Sequence, residues 1–247
     1  METDIFYQIY NELPRVGPGD DASTLKALEI VKSKINPSRI LDIGAGTGQQ
    51  TFVLAKNTNA VINALDNNDA IIERLENEAE GLNISSRIFC FDADMLELPF
   101  EEKEFDLIWC EGAIFIIGFE KGLKYWKTVL KDKGLMAISE LNWLKNDPPQ
   151  EISDFWRNGY PGMIHIDKNL SQIEKLGFNI IDHFVLPNNA WWDEYYTPLE
   201  KRLEIFKERY SDQKPETDTI NYIQTEIDMY RKYGEYFGYV FYIIQLK

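Results

Sequence analysis

Residues 41–51 read LDIGAGTGQQT, with three glycines within five positions after an apolar run and an acidic residue. Glycine lets a backbone turn tightly and lets a ligand approach it closely. A loop of this kind, between a buried strand and a helix, lies at the sheet edge where α/β proteins bind ligands. The stretch therefore predicts a site for a dinucleotide or for a nucleoside with a charged tail, unless it is only a tight turn.

The spacing of the glycines differs from the dinucleotide fingerprint G-x-G-x-x-G, in which a helix N-terminus faces a pyrophosphate. The third glycine comes one residue early, and Gln49 stands where the fingerprint requires glycine. Asp42, at the end of the strand, would repel a pyrophosphate but suits an ammonium group. The loop thus favours a ligand with an amino group, and an NAD-dependent oxidoreductase is the alternative.

Strand-like and helix-like segments alternate along the rest of the chain. Strands are predicted at 39–43, 60–65, 88–91, 105–110, 134–139, 179–186 and 239–245. Helices are predicted at 3–13, 23–34, 47–56, 68–80, 121–131 and 168–176, with Asp21 or Ser23 capping the second, and 141–150 is predicted to be a loop. Such alternation is typical of a parallel sheet with helices on both faces.

The overall composition limits the classes of partner that the protein can bind. The 247 residues include 26 basic and 41 acidic ones, for a net charge of −15, which repels phosphate backbones and anionic lipid. The first residues lack the pattern of a signal peptide, and no segment approaches the roughly 18 apolar residues of a membrane span. We therefore expect a cytoplasmic protein that acts on a small molecule, with neither nucleic acid nor membrane as partner.

The two cysteines, Cys90 and Cys110, lie in apolar runs, so we expect both to be reduced core residues. One such pair provides neither a disulfide framework nor the spacing of a metal site. The sequence predicts no metal.

The glycine loop and the segments after it resemble the class I S-adenosylmethionine-dependent methyltransferases, in particular the members that act on small molecules. LDIGAGTG at 41–48 is similar to the first motif of that family, and the similarity extends over about residues 38–140. The resemblance implies a Rossmann-like, doubly wound α/β fold with seven strands in the order 3-2-1-4-5-7-6, strand 7 antiparallel. It implies methyl transfer from S-adenosylmethionine, with S-adenosylhomocysteine as product, to an O, N or C atom of a small molecule.

The resemblance also implies cofactor contacts. The residues that would hold the amino-acid tail of the cofactor are Asp42, Gly44, Ala45, Gly46 and Gly48. Asp66, with Asn67 beside it, ends the second strand and would accept hydrogen bonds from both ribose hydroxyls.

Two further segments of the resemblance carry acidic residues. DADMLELPF at 92–100 is similar to the adenine-binding segment of the family. There Asp94 would accept a hydrogen bond from the exocyclic amine and Met95 would bring a backbone N–H to the ring, while Asp92 is the competing acid. Glu111 follows the fourth strand and would face the sulfonium and the methyl group.

No catalytic residue is carried over from the family. Some N-methyltransferases have an N/D-P-P-Y/F segment after strand four, whereas this chain has CEGAIF. A general base is needed only if the acceptor must lose a proton. The candidates are Glu111 and the two histidines, His165 and His183.

Residues 187–237 form a long insertion before the last strand, and insertions of this length commonly cover a site. Its aromatic residues, together with one from the N-terminal segment, either clamp a flat or cationic acceptor or anchor the insertion to the core: Trp191, Trp192, Tyr195, Tyr196 and Tyr10. PRVGPGDD at 14–21 is a second candidate lid.

We therefore expect a single domain over 1–247. It would comprise a helical N-terminal cap at 1–36, a cofactor-binding core at 37–140 and an acceptor-side half at 141–247 with the insertion 187–237 as a lid. The protein would be a monomer or a homodimer. A non-catalytic protein that binds S-adenosylmethionine is a further alternative.

Overall fold

The computed structural model describes residues 5–247 of the chain. Its strands are β1 (Arg39–Ile43), β2 (Val61–Asp66), β3 (Ile88–Asp92), β4 (Phe105–Cys110), β5 (Leu130–Trp143), β6 (Phe178–Val185) and β7 (Phe237–Leu246). Its α-helices are α1 (Ile5–Tyr10), α2 (Asp21–Lys32), α3 (Gln49–Asn57), α4 (Asp69–Gly81), α5 (Phe119–Trp126), α6 (Gln150–Gly159), α7 (Ile166–Lys175), α8 (Asn189–Trp191), α9 (Thr197–Arg209) and α10 (Lys214–Tyr233).

The strands form one sheet in the order β3-β2-β1-β4-β5-β7-β6. The pairs from β3 to β5 are parallel, whereas β7 is antiparallel to both β5 and β6. This arrangement confirms the predicted Rossmann-like, doubly wound fold.

The central strands are apolar on both faces because helices cover both sides of the sheet. In β4, Leu107 and Trp109 pack into one apolar cluster, while Ile108 and Cys110 pack into the other. Successive side chains of a strand point to opposite faces, so a short apolar run serves both clusters. Cys110 is buried as predicted, and Cys90 is half-buried at the packed edge of the first cluster.

The helix predicted at 121–131 is wrong in its second half. α5 ends at Trp126, and β5 begins at Leu130. The connection contains the β-branched residues Thr128 and Val129, which are restricted in a helix. Leu130 then pairs with Phe105 of β4, so the chain from Leu130 onward forms a strand of the sheet and does not continue the helix.

The loop predicted at 141–150 is wrong at both of its ends. Residues 141–143 extend β5, because they pair with the first residues of β7. Gln150 begins α6, which buries Ile152 and Trp156. These two residues are four apart, so they lie on the same face of the helix.

The N-terminal predictions need two corrections. α2 is capped by Asp20, not by Asp21 or Ser23, because Asp20 Oδ1 accepts a hydrogen bond from the Ser23 backbone N–H at 2.6 Å. The helix predicted at 3–13 ends at Tyr10, and its residues 3 and 4 lie outside the described residues.

The insertion between β6 and β7 contains α8, a π-helical turn at Trp192–Tyr196, α9 and α10. α10 presents an apolar face to the core, and its buried residues are Ile220, Ile223, Ile227 and Tyr230. The ring of Trp191 stacks on that of Tyr230 with 4.1 Å between centroids, which fixes the start of the insertion against α10. Within 5–247, no helix is long and apolar enough to cross a bilayer.

Candidate active site

The glycine loop joins β1 to α3 with a left-handed backbone at three positions. The φ angles of Gly44, Gly46 and Gly48 are +70°, +54° and +83°, a region that residues with a side chain rarely adopt. A Cβ atom on Gly44 would lie 2.5 Å from Ala113 Cβ, and one on Gly46 would lie 2.9 Å from Val16 Cγ2. The loop needs glycine for its conformation and for the close approach of its neighbours.

Hydrogen bonds tie this loop to the end of β2. The backbone N–H of Ala45 donates to the Leu65 carbonyl at 3.0 Å, and that of Gly46 donates to Asp66 Oδ2 at 3.0 Å. Burial raises the pKa of Asp66, although the backbone N–H groups of Gly46 and Asn67 act against this. Asp66 thus supports the loop while it borders an open space.

That space, the first cavity, has a volume of about 290 Å³ and lies at the carboxyl ends of β1, β2 and β4. Asp66, Asn67, Met95 and Gly112 are among the residues that line it. Its rim carries exposed apolar side chains: Phe6, Tyr7, Phe115 and Ile116. A polar end beside the loop and an apolar rim fit a ligand with a sugar and a flat ring.

Only some residues of the segment after β3 line the first cavity. Ala93 and Met95 line the cavity, and the Met95 carbonyl accepts a hydrogen bond from Trp126 Nε1 at 2.9 Å. Asp94 is exposed, and its Oδ1 accepts from the Leu96 backbone N–H at 2.7 Å. Neither Asp94 nor Asp92 is among the described residues that line the cavity.

Asp42 lies behind the loop. It is fully buried, its Oδ2 accepts from Thr51 Oγ1 at 2.6 Å, and its Oδ1 is 3.5 Å from Gln50 Nε2. Gln50 Nε2 also donates to the Ala45 carbonyl at 2.9 Å. The carboxylate therefore ties α3 to β1, while the Gln50 amide ties α3 to the loop. Its predicted contact with an ammonium group remains a prediction.

Burial raises the pKa of Asp42 to about 7, against the opposing hydrogen bond from Thr51. An acid with a raised pKa binds more protons folded than unfolded, so stability falls as pH rises from about 4 to about 7. The amide of the Asp42→Asn variant cannot titrate, so the unfolding free energy of this variant relative to wild type should rise by on the order of 2 kcal/mol from pH 5 to pH 8. Urea denaturation at both pH values measures this, and a pH-independent difference would contradict it.

A small polar cleft of about 30 Å³ adjoins the loop, and Arg15 and Glu111 line it together with Gly44 and Gly46. Glu111 Oε1 accepts from Thr24 Oγ1 at 2.7 Å and from Trp109 Nε1 at 2.8 Å, and Arg15 Nη1 lies 4.0 Å from Oε2. Burial raises the pKa of Glu111, and the neighbouring Arg15 opposes that rise. A guanidinium and a carboxylate beside one cleft suit the two ends of an amino acid.

Arg15 was not predicted as a site residue. It is 5% exposed, donates to Asp21 Oδ1 and Glu194 Oε2 at 2.6 Å each, and so links the N-terminal segment to the insertion. Its only sequence signal is its place within PRVGPGDD, the segment predicted as a candidate lid.

Residues 11–18, which we call the strap, cross over the loop. Arg74 Nη1 donates to the carbonyls of Asn11 and Leu13 at 2.8 and 2.9 Å. Thr47 Oγ1, from the glycine loop itself, donates to the Pro14 carbonyl at 2.7 Å. The strap is thus held through its backbone by α4 and by the loop that it covers.

A second cavity of about 230 Å³ adjoins the first, and both are bordered by Tyr10, Val16, Gly17, Gly112, Phe6 and Phe115. Its wall is mainly aromatic: Tyr10, Trp156, Tyr160, Trp191, Tyr195, Tyr222 and Tyr239. Glu226 of α10 is the one acidic residue among the described residues that line it.

The aromatic residues predicted at the acceptor divide into two groups. Tyr10, Trp191 and Tyr195 line the second cavity. Tyr196 is fully buried behind it and donates to Glu226 Oε1 at 3.0 Å, while the ring of Trp192 lies 5.0 Å from the Arg231 guanidinium. The insertion therefore uses the cluster both to line the cavity and to anchor itself.

The histidines lie away from this region. His165 caps α7, where its side chain accepts from the Asp167 backbone N–H, and His183 is exposed on β6 with its ring near Tyr242. Among the described residues that border the two cavities there is no histidine. Of the three candidate bases, the structure places only Glu111 at the site.

Residues 40–134 match the family model described as a methyltransferase domain. The match covers the glycine loop, Asp66 and Glu111, which the sheet brings to one edge. Residues 40–134 of the chain therefore form a methyltransferase domain.

Two solved structures illustrate how widely this fold is shared. The S-adenosylmethionine-dependent methyltransferase of Geobacter sulfurreducens, in complex with S-adenosyl-L-homocysteine, superposes with a TM-score of 0.83 at 18% identity, over 99% of this chain and 98% of that one. YjhP of Escherichia coli superposes with a TM-score of 0.84 at 20% identity, over 99% of this chain and 100% of that one.

Curated sequences include sterol 24-C-methyltransferases. The protein from Kluyveromyces lactis is 27% identical over 170 residues, which cover 65% of this chain and 45% of that protein. The chain thus spans about half the length of the curated sterol methyltransferases it matches. The match supports the methyltransferase domain and leaves the acceptor open.

Proposed function

We propose that this methyltransferase domain transfers a methyl group from S-adenosylmethionine to an O, N or C atom of a small molecule. The observation that carries the proposal is that the two cavities lie side by side and share Gly112 and Phe115 as lining residues, beside the glycine loop. One cavity has the lining for an adenosine and the other the lining for an acceptor, so a methyl group at their junction has only a short path to travel.

The cofactor would occupy the first cavity and the polar cleft. Asp66 would accept hydrogen bonds from the ribose hydroxyls, and Met95 would flank the adenine. The amino-acid tail would lie against the glycine loop, with its carboxylate toward Arg15 and its ammonium toward Glu111. A charged partner at each end of the tail fixes the direction of the sulfonium.

Methyl transfer is a displacement at carbon in which the acceptor's electron pair forms the new bond and the sulfur keeps the old pair. Because the cofactor carries a good leaving group, positioning and the exclusion of water supply most of the acceleration. The aromatic wall of the second cavity serves both purposes. Glu111 would face the sulfonium, while its bonds to Thr24 and Trp109 hold the carboxylate in place.

Calorimetric titration with S-adenosylhomocysteine and with NADH tests the cofactor. We expect binding of the former in the micromolar range and none of the latter, while the reverse would favour an oxidoreductase. Incubation of the protein with methyl-labelled S-adenosylmethionine and a cell extract then tests the reaction. A labelled small product is expected, and binding without any labelled product would favour a non-catalytic role.

The assignment of the adenine acid yields a comparison of two variants. Asp94→Ala should weaken S-adenosylhomocysteine binding more than Asp92→Ala, because Asp94 neighbours Met95 at the cavity and has one carboxylate oxygen beyond its bond to Leu96. A loss of one hydrogen bond corresponds to about 0.5–1.5 kcal/mol, or roughly 2- to 13-fold in affinity. The opposite order in calorimetry would assign the role to Asp92.

We further propose that the protein works in the cytoplasm as a monomer or a homodimer. Its net charge of −15 disfavours nucleic acid and anionic membranes as partners. Size-exclusion chromatography with light scattering determines the oligomeric state.

A further inference from the structure

The second cavity holds a carboxylate that has no cationic partner in the described part of the chain. Glu226 borders the cavity from α10, and its side chain is only partly covered, so it is open to a ligand. The phenol of Tyr196 donates to its Oε1 at 3.0 Å. No lysine, arginine or histidine is among the described residues that line this cavity.

A second carboxylate adds to the negative charge near this cavity. Glu140 of β5 is 2% exposed, and its Oε1 accepts from the hydroxyl of Tyr160 at 2.6 Å. Its Oε2 has no hydrogen-bond partner among the described residues. Tyr160 itself lines the cavity. Glu226 thus lines the cavity, Glu140 bonds to the lining residue Tyr160, and each carboxylate accepts from a tyrosine hydroxyl.

The remaining wall consists of aromatic rings. Aromatic faces attract cations through their quadrupole, and the attraction grows when the cation is removed from water. Trp156, another lining residue, is 8% exposed, and its Nε1 has no hydrogen-bond partner among the described residues. An unpaired buried donor at a cavity wall is costly unless a ligand supplies an acceptor.

We propose that the methyl acceptor carries an amino group, bound as its ammonium between Glu226 and the aromatic rings of the second cavity, while a different atom of the acceptor supplies the electron pair for the new bond. The proposal rests on the proposed function and names the acceptor class for the same site. Trp156 Nε1 would donate to a second, polar group of the acceptor.

Size and charge support this class. A cavity of about 150 Å³ holds benzene, so one of about 230 Å³ holds a single ring with a short chain, or an aliphatic chain of similar bulk. Burial raises the pKa of Glu226 to about 7, against the hydrogen bond from Tyr196. An ammonium would stabilise the ionised carboxylate of Glu226. A neutral acceptor would not offset the cost of removing that carboxylate from water.

The test compares amines with alcohols of the same shape, in the presence of saturating S-adenosylhomocysteine. The probes are phenethylamine with 2-phenylethanol, benzylamine with benzyl alcohol, and butylamine with butanol. In calorimetry, the wild type should bind at least one amine tenfold more tightly than its alcohol, and Glu226→Gln should remove that preference without changing the affinity for the alcohol.

Two variants serve as controls. Asp228→Asn removes an exposed charge from the same helix and should leave the preference intact. Tyr196→Phe keeps the ring and the carboxylate but removes the donor that favours the ionised form of Glu226, so it should retain a smaller preference for the amine. Unchanged S-adenosylhomocysteine binding by Glu226→Gln shows that the variant is folded.

The charge of the natural product provides a second measurement. Labelled product from a cell extract, separated from the cofactor, should be retained by a cation exchanger at pH 3. If S-adenosylhomocysteine binds and label is transferred, but only to neutral products, this inference is overturned while the proposed function stands. Equal binding of every amine and its alcohol also overturns it. Absence of S-adenosylhomocysteine binding overturns the proposed function itself.

Discussion

Asp66→Ala is expected to weaken S-adenosylhomocysteine binding by about 2–3 kcal/mol, or roughly 30- to 150-fold. The carboxylate borders the first cavity and offers a charged acceptor to two vicinal hydroxyls. Its Oδ2 also accepts from the Gly46 backbone N–H at 3.0 Å, so the substitution loosens the loop as well. Calorimetric titration at 25 °C measures the effect.

Two companion variants separate these causes. Asp66→Asn retains one acceptor oxygen and should lose less affinity than the alanine variant. Glu73→Ala removes an exposed acidic group from α4 and should bind like the wild type. An unchanged dissociation constant for Asp66→Ala would refute the ribose assignment, whatever the behaviour of the controls.

Gly44→Ala is expected to have the largest effect on stability. The residue has a φ of +70°, and an added Cβ would lie 2.5 Å from Ala113 Cβ. The left-handed conformation costs about 1–2 kcal/mol and an overpacked contact about 1–3 kcal/mol. Together they predict a loss of about 2–5 kcal/mol in the free energy of unfolding, with cofactor binding abolished because the loop must move.

Gly81→Ala is the matched control. Gly81 ends α4, its φ is not positive, and an added Cβ would meet nothing within 4 Å. Alanine is the better helix former, so this variant should be as stable as the wild type or slightly more stable. Urea denaturation compares the two variants, and equal stabilities would show that the loop accommodates a side chain at Gly44.

Much of the fold could be predicted because local pattern and tertiary structure agree through the centre of the chain. β4 was predicted at its observed bounds, since an apolar strand between helices is buried on both faces. The boundary between α5 and β5 could not be predicted, because the pairing of Leu130 with Phe105 outweighs a helical pattern there. Local helix propensity has too small an energetic effect to prevent strand pairing of this kind.

The residues of the candidate site that belong to one sequence motif could be predicted. The residues that come from segments far away in the sequence could not. Gly44, Gly46 and Asp66 come from a loop and a strand end that adjoin in the sheet. Arg15 and Glu226 reach the site from the strap and from α10, and no local pattern marks either one. The partners of Arg15 lie 6 and 179 positions away, so only the folded chain brings them together.

The 179 positions between Arg15 and Glu194 have a consequence for folding during synthesis. A ribosome completes the glycine loop and Asp66 long before it reaches Glu194, the residue that holds Arg15 over the polar cleft. A nascent chain can therefore hold the strap over the glycine loop, through Thr47 and Arg74, before Glu194 exists to fix Arg15. We expect ligand retention to arise only in the finished polypeptide, when its earliest and late-synthesised segments first meet.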